Sequence, residues 1–496
     1  MAENNRNRWL ILLTVMVGTF LGAMDQTVVN LAVPKIMLDF NILTADAAWI
    51  ATAYILANAV FVPVWGKLGD TIGRKKVYLW GFSIFIVGSI LAGFAWDLGS
   101  MIIFRIIQAV ASSADYPTAM AIIAVNFSNG KERAQALGVW SSAFALAIVF
   151  GPLVGGPLID IFGWRSVFLI NLPIGIIGIA MALTFIPESV SDKKSVSFDW
   201  YGALTLGASL ALLVFGLDRG YDWGWTSLPI LLCFAGSGLF MYLFYLIDSR
   251  HPEPIIDFSF FRIPAFVFTL VNNFLIFMCL MGGMFLIPIF DQTFLGLTAT
   301  ETGLQFVPMA FVIMLAAPIG AGLVGKLQPR YVIALSTLVA GIGLFLFVGL
   351  DVRSSSLDVI IPLVVMMFGM GFGMSQRTGI IAAVVPNDEI GSASAVLALV
   401  RNISGAFGIA IFATLLNMTV ENNMLAISGN SVVNVHTPAV MQQATTLMYL
   451  DAQILAYHTI FIVGSLIMIL AAALALLIDV KKTKKGEDGK EVVLEI

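Results

Sequence analysis

Charge is scarce in this chain. Only 11% of its 496 residues are Asp, Glu, Lys or Arg while 59% are hydrophobic, and the mean hydropathy is +0.95. Soluble domains carry about 25% charged residues, so a soluble globule of this size is excluded. Cysteine is nearly absent. Cys233 and Cys279 both fall inside apolar runs, are expected to be buried free thiols, and carry no information about redox compartment. The three histidines, His251, His436 and His458, have no metal-ligand spacing. No cluster of nucleophile, base and orienting group is visible, so catalytic residues, a metal site and a bound cofactor are all expected to be absent, and a membrane enzyme is the weaker class. "GAGLVGK", Gly320 to Lys326, nearly spells a phosphate-binding loop. Leu327 stands where Ser or Thr binds magnesium, and the stretch follows a membrane helix rather than a strand. That excludes ATP-driven chemistry from this chain, and nothing suggests nucleic acid as a partner.

What the chain has in abundance is long apolar runs, which recur from Trp9 to Asp479. Each is long enough to cross a hydrocarbon core of roughly 30 Å as a helix. About fourteen such spans predict an all-α integral membrane protein embedded in a lipid bilayer. The first run is too long for a removable signal peptide and lacks a small-residue cleavage site, so it is expected to stay as a span. An even count puts both termini on one side. With the N-terminus inside, the inside segments hold nineteen basic residues and the outside loops only Lys35, Arg165, Arg219 and Arg353. The bias predicts a multi-pass protein of the cell membrane with both termini cytoplasmic, and the segment from Met418 to Leu455, without Lys or Arg, as a long external loop.

Arg105, Arg377 and Arg401 remain inside spans. An intramembrane ion is costly and normally faces a bundle interior or a watery cavity, where it marks a functional site or a structural ion pair. A shift of 256 residues lays Gly66, Gly69 and Arg74 on Gly322, Gly325 and Arg330, each in a loop after the second helix of a six-helix block. This repeat predicts two homologous halves, 1–190 and 263–480, joined by two inserted helices within 191–262 and followed by a cytoplasmic tail, 481–496. Asp70 is replaced by Lys326 in the second copy.

Five motifs give the chain a resemblance to the major facilitator superfamily, and specifically to its fourteen-helix drug:proton antiporter branch. "GKLGDTIGRKK", Gly66 to Lys76, resembles the signature loop between helices 2 and 3, in which Gly66, Asp70, Gly73 and Arg74 form a conformational latch. "LGAMDQTVVNLAVP" in span 1 is similar to the branch's first-helix motif, whose aspartate is Asp25 here. "GPLVGGPL" in span 5 resembles the antiporter motif, with Gly151, Pro152, Gly155 and Gly156 permitting close packing and interrupting the backbone ladder; Ala147 and Phe150 stand where the pattern has glycines. "WRSVFLINLPIG", Trp164 to Gly175, resembles the entry into helix 6. "RIIQAVASSADYPT", Arg105 to Thr118, resembles the helix 4 motif with Arg105 and Gln108 kept, alanines in place of its glycines, and Asp115 as the departure.

At 100° per residue, Arg105, Gln108, Ser112 and Asp115 fall within about 80° of one another on one face of a continuous span 4. Depth arithmetic sets Asp25 beside Arg105 in the outer half and Asp115 level with Arg377 in the inner half. Asp25 is therefore expected to be the main proton-coupling carboxylate, balanced between desolvation and Arg105. Asp115 is expected either to be a second titrating or cation-binding acid or, the favoured reading, to pair with Arg377 across a central cavity. Gln108, Ser112, Met370, Met374, Arg377, Asn272 and Asn273 are candidate cavity residues, the methionines suited to apolar ligands of varied shape or equally to core packing. Asp291 is expected to be solvated at the outer interface, and Arg401 to be structural.

Taken with the resemblance, these features predict a proton-coupled multidrug exporter. Its partners would be lipophilic, cationic small molecules and protons, its energy source the proton gradient, its mechanism alternating access and its working unit a monomer. The alternative is an exporter of lipids or anionic or zwitterionic amphiphiles, with Arg377 as headgroup ligand.

Overall fold

A computed structural model of the chain describes residues 2–127, 130–188, 199–252, 254–323, 326–385, 390–430, 438–479, 481–485 and 491–495. The side chains of some positions within helices, Gly66 and Asp70 of the expected latch among them, lie outside that description.

Helices make up nearly all of it. In chain order they are α1 (Ala2–Phe40), α2 (Thr44–Ile72), α3 (Arg74–Gly93), α4 (Leu98–Ser112), α5 (Asp115–Asn126), α6 (Gly130–Phe162), α7 (Ser166–Leu169) and α8 (Asn171–Phe185). There follow α9 (Trp200–Trp223), α10 (Leu228–Asp248), α11 (Pro264–Thr293), α12 (Ala299–Ala321), α13 (Pro329–Leu346), α14 (Ser356–Val384), α15 (Ile390–Asn430) and α16 (Pro438–Ala475). Among the described residues the only strands are Lys481–Lys485 and Glu491–Glu495, paired antiparallel in the tail. Thirteen segments are long and apolar enough to cross a membrane, α4 with α5 and α7 with α8 each counting as one, and α6 adds a shorter apolar stretch, Leu146–Phe162. The count matches the fourteen spans expected from the sequence, and the chain is a multi-pass membrane protein.

Local chemistry sets where several helices start. Asp97 and Ser100 form a reciprocal cap on α4, as do Thr298 with Glu301 on α12 and Ser355 with Asp358 on α14. Pro stands in the first turn of α10, α11 and α13, where its missing N–H costs nothing. Between α2 and α3, Gly73 adopts φ +103°, a left-handed conformation that favours glycine, and so supplies the tight turn expected of this loop.

Two sequence expectations are corrected. Span 4 is not one continuous helix: α4 ends at Ser112 and α5 begins at Asp115. Pro117 has no N–H to offer the Ser113 carbonyl, and the chain tightens there into a bond from Ala114 N–H to the Ala111 carbonyl. Ser113 and Ala114 keep right-handed helical dihedrals across the break, and Ser112 and Asp115 still line one cavity. The long external loop is also mostly helix, since α15 runs on to Asn430 and α16 starts at Pro438. No glycine or proline interrupts Met418 to Ser428.

Two large buried clusters organise the bundle. One is built on α1, α3 and α5 to α8 and includes Val15, Phe82, Ile123, Trp140, Phe168 and Ala182. The other is built on α11 and α13 to α16, around Phe285, Leu344, Met366, Phe412 and Phe461. Across the seam between them α6 packs on α12, and α2 packs on α15. The inserted helices pair with each other, and α9 lies over α2 and α15, burying Leu206, Leu210 and Val214 against Leu56 and Ala410. Polar contacts fix α9 there. Buried Asp218 accepts from Trp49 Nε1 of α2 at 2.8 Å and from Thr414 Oγ1 of α15 at 3.2 Å, while Arg219 pairs with Asp46 at 2.7 Å. The inserted pair thus touches both sides of the seam.

Candidate functional site

The first polar centre is buried among α1, α2, α3, α4 and α8. Asp25 and Arg105 are each 1% exposed, and an Arg105 Nη1 donates to Asp25 Oδ2 at 2.5 Å. Gln108 Nε2 and Asn171 Nδ2 each donate to Asp25 Oδ1 at 2.9 Å. Other groups of the network bond nearby, though Asn171 Oδ1 is buried without a partner. Arg105 Nε donates to the Ile50 carbonyl and Nη1 to Gln108 Oε1, while Gln108 and Asn171 both donate to Ser89 Oγ, which in turn donates to the Phe168 carbonyl. The Arg105 guanidinium lies 4.0 Å from the Tyr54 ring centroid, a cation–π contact.

The depth arithmetic placed Asp25 beside Arg105, and the two are in contact. Asn171 and Ser89 were not foreseen as partners. Asn171 lies in the quoted stretch that opens helix 6, where an asparagine amid apolar residues was the available signal. Gln108 is fully buried in this network.

Asp115 forms a second centre, about two to three turns away along the chain. Its Oδ2 accepts from Thr19 Oγ1 at 2.7 Å, and Trp140 Nε1 donates to the same hydroxyl at 2.9 Å. Its Oδ1 is buried with no hydrogen-bond partner. Beside it lies a cavity of about 20 Å³ lined by Gly18, Gly22, Tyr78, Phe82 and Ser112 as well as Asp115 itself, room for about one water molecule. Ser112 closes one wall and accepts from Tyr54 Oη and Asn58 Nδ2.

Arg377 is not there. It is buried on α14 and donates to Asn272 Oδ1 at 2.9 Å, Thr337 Oγ1 at 3.0 Å and Ser336 Oγ at 3.3 Å. The favoured pairing of Asp115 with Arg377 is therefore not made in this conformation, because neutral oxygens of α11 and α13 already satisfy the guanidinium. Asn272 is held by Arg377 and also donates to Thr337 and to the Ala471 carbonyl. Asn273 is buried beside it with Nδ2 unpaired. These residues form a polar core of the α11–α16 bundle rather than a cavity wall. On the same helix, Met370 packs against the apolar core and Met374 is 40% exposed. Arg401 is half-buried, with its guanidinium 5.8 Å from the Phe277 ring. Asp291 is fully buried, which corrects the expectation of interfacial solvation.

The glycine-rich stretch of α6 does two jobs. A Cβ at Gly151 or Gly155 would run into Thr27 or Val28 of α1, and one at Gly156 would meet Thr300 Cα of α12 at 2.6 Å. Gly156 therefore lets the two bundles touch near the face opposite the N-terminus. Pro152 meets α12 too, its carbonyl lying 2.6 Å from where a Gly303 Cβ would be. Asp160, at the end of α6, accepts from the Ala299 and Thr300 N–H groups at 3.1 and 2.9 Å, and from Thr300 Oγ1 at 2.5 Å, capping α12 from across the seam. Gln292 of α11 donates to the Leu31 carbonyl of α1 at 3.0 Å. The bundles are closed on each other at that face. At the start of α3, Arg74 Nη1 donates to the Ala121 carbonyl of α5 at 3.1 Å.

A long-helix bundle of two packed clusters with ionised groups at mid-depth is the setting in which the family assignment is decided. The sequence profile of the Major Facilitator Superfamily matches residues 15–409. The chain belongs to that superfamily. It is 32% identical to the multidrug transporter protein MdtP of Bacillus subtilis over 83% of this chain and 75% of that one. It is 28% identical to the tetracenomycin C resistance and export protein of Streptomyces glaucescens over 82% of this chain and 76% of that one. In fold it is similar to a bacterial homologue of the human lysosomal transporter Spinster, with a TM-score of 0.67 at 15% identity and coverage of 95% and 96%. Membership of this superfamily, together with the names of these relatives, points to a role in transport.

Proposed function

We propose that the protein is a proton-coupled exporter of lipophilic, cationic compounds, of the fourteen-helix drug:proton antiporter branch. In this reading the halves 1–190 and 263–480 rock about a central cavity, and the chain works as a monomer in the cell membrane. Both termini are cytoplasmic, so the closed face is external and this conformation opens inward. The names of the relatives support drug export, and the charge arrangement supports cations and protons. One observation carries the coupling: Asp115, a carboxylate without a cationic partner, has one oxygen held by Thr19 and the other unpaired. Such an acid gains from binding either a proton or a substrate cation, and it cannot hold both, which is the exchange that antiport requires. Asp25 is different, because Arg105, Gln108 and Asn171 stabilise its charge. It takes a proton only when a change of conformation loosens that network, which ties its titration to the transport step.

The test is uptake of a fluorescent lipophilic cation into inside-out proteoliposomes with a pH gradient, recorded together with proton release. Wild-type protein is expected to exchange the two. Asp115→Asn is expected to lose at least about tenfold of the exchange, and full gradient-driven exchange by that variant would refute the assignment. A second reading, export of anionic or zwitterionic amphiphiles, has one observation in its favour, since Arg377 is partnered by neutral groups alone. Transport of such amphiphiles and not of cations, lost in Arg377→Met, would decide for it.

A further inference from the structure

The acid that the coupling scheme leaves unused is Asp291. It sits two residues before the end of α11, is 0% exposed, and has neither carboxylate oxygen hydrogen-bonded. Its surroundings are aromatic: the rings of Phe290, Phe294 and Tyr457 pack on one another at centroid distances of 5.1 to 5.9 Å. An ionised carboxylate in such a place loses its water and gains no counter-charge, a cost that binding a proton removes.

The titratable groups on the elements packed against this end of α11 are engaged elsewhere. His458 of α16 bonds the Leu350 carbonyl, Glu301 caps its own helix α12, and Asp358 caps α14. On α1, Asp39 pairs with Arg165 and Lys35 is exposed beside Asp160. Glu421 of α15 faces Tyr221. Of the remaining groups on α16, Tyr457 lies near Asp291, Tyr449 lies near Tyr457 in turn, and Asp451 is exposed. No described Lys, Arg or His lies within ion-pair distance of it.

This end of α11 also packs on α1 of the other half of the molecule. Val33 of α1 and Ala47 and Ala48 of α2 belong to the same buried cluster as Ile287 and Phe290. The next residue along, Gln292, makes the hydrogen bond to Leu31 of α1. Parting the halves at this face would lift those groups away and let water reach the end of α11.

We propose that Asp291 is a proton-binding site that gates the external face: its carboxyl must take a proton from the external water before the halves can close there, and returns it to the same water when they part. The gate rests on the alternating-access reading above, though not on the identity of the substrate. It is separate from Asp25 and Asp115, which lie in the other half.

The test uses the full chain in lipid nanodiscs in a cysteine-free background (Cys233→Ser, Cys279→Ala), with spin labels at Leu38→Cys and Val352→Cys. Both positions are exposed, on the external ends of opposite halves. Pulsed EPR distances are read from pH 5 to pH 9. The ratio of parted to closed molecules is expected to rise with pH by up to about tenfold per unit over part of that range, as release of one proton requires. Asp291→Asn and Asp291→Leu are expected to stay closed throughout, Asp291→Glu to keep the pH response, and Asp115→Asn to keep the component due to Asp291. A pH response in Asp291→Asn equal to that of the parent would overturn the proposal, and so would a parent that stays closed at every pH. An intact response in a protein that exchanges no cations for protons would remove the coupling scheme and leave the gate standing.

Discussion

The Asp25–Arg105 pair allows the sharpest energetic test, because both side chains are at most 2% exposed and their partners are known. Arg105→Met removes the cation and leaves Asp25 with two neutral donors, Gln108 and Asn171. Asp25→Leu leaves Arg105 with the Gln108 and Ile50 oxygens and the Tyr54 ring. Each single variant strands a buried charge, and such losses cost about 3–5 kcal/mol. The double variant strands none, so apolar replacement of both is expected to cost far less than the sum, with a coupling energy of about 3 kcal/mol or more. Reversible unfolding in mixed detergent micelles, followed by tryptophan fluorescence, measures all four corners of the cycle. Additivity within about 0.5 kcal/mol would refute the argument, since it would mean that the two charges do not depend on each other. The double variant is also expected to fold without transporting, which would separate what the pair does for stability from what it does for coupling.

Three further outcomes follow from the contacts at the seam. Gly156→Val puts a side chain against the Thr300 backbone and is expected to hold the external face open, raising the reactivity of a cysteine placed at Thr298; unchanged reactivity would count against the closure described here. Asp160→Ala removes the cap on α12 and is expected to shift the same equilibrium toward the open face by about 0.5–2 kcal/mol, with Asp160→Asn retaining part of the contact. Asp218→Ala leaves Trp49 Nε1 without its acceptor and is expected to lower stability by about 1–3 kcal/mol in thermal unfolding, whereas loss of the exposed Arg219–Asp222 contact in Asp222→Ala should have little effect.

Membership of the superfamily's fold was legible because its causes are local. Length and hydropathy decide whether a segment can cross a bilayer, a glycine marks the turn at Gly73, and small residues mark the close approaches at Gly151, Gly155 and Gly156. The Asp25–Arg105 contact was legible for a similar reason, since helical rise alone sets the depth of a residue in a span.

Depth does not say which neighbour a side chain meets. Asp115 and Arg377 lie at matching levels in the sequence arithmetic, yet Thr19 holds one and Asn272, Ser336 and Thr337 hold the other. Asp291 makes the same point from the opposite side. Its place near a helix end suggested solvent, and only the packing of α16 and of the other half over that end makes it a buried acid. Which segments are long and apolar enough to cross a bilayer was readable from the chain alone, because that follows from rise per residue and hydropathy. Which charges are paired, which are stranded and which face is closed were decided by tertiary packing, because partners so far apart in the chain meet only when helices from different parts of it are brought side by side.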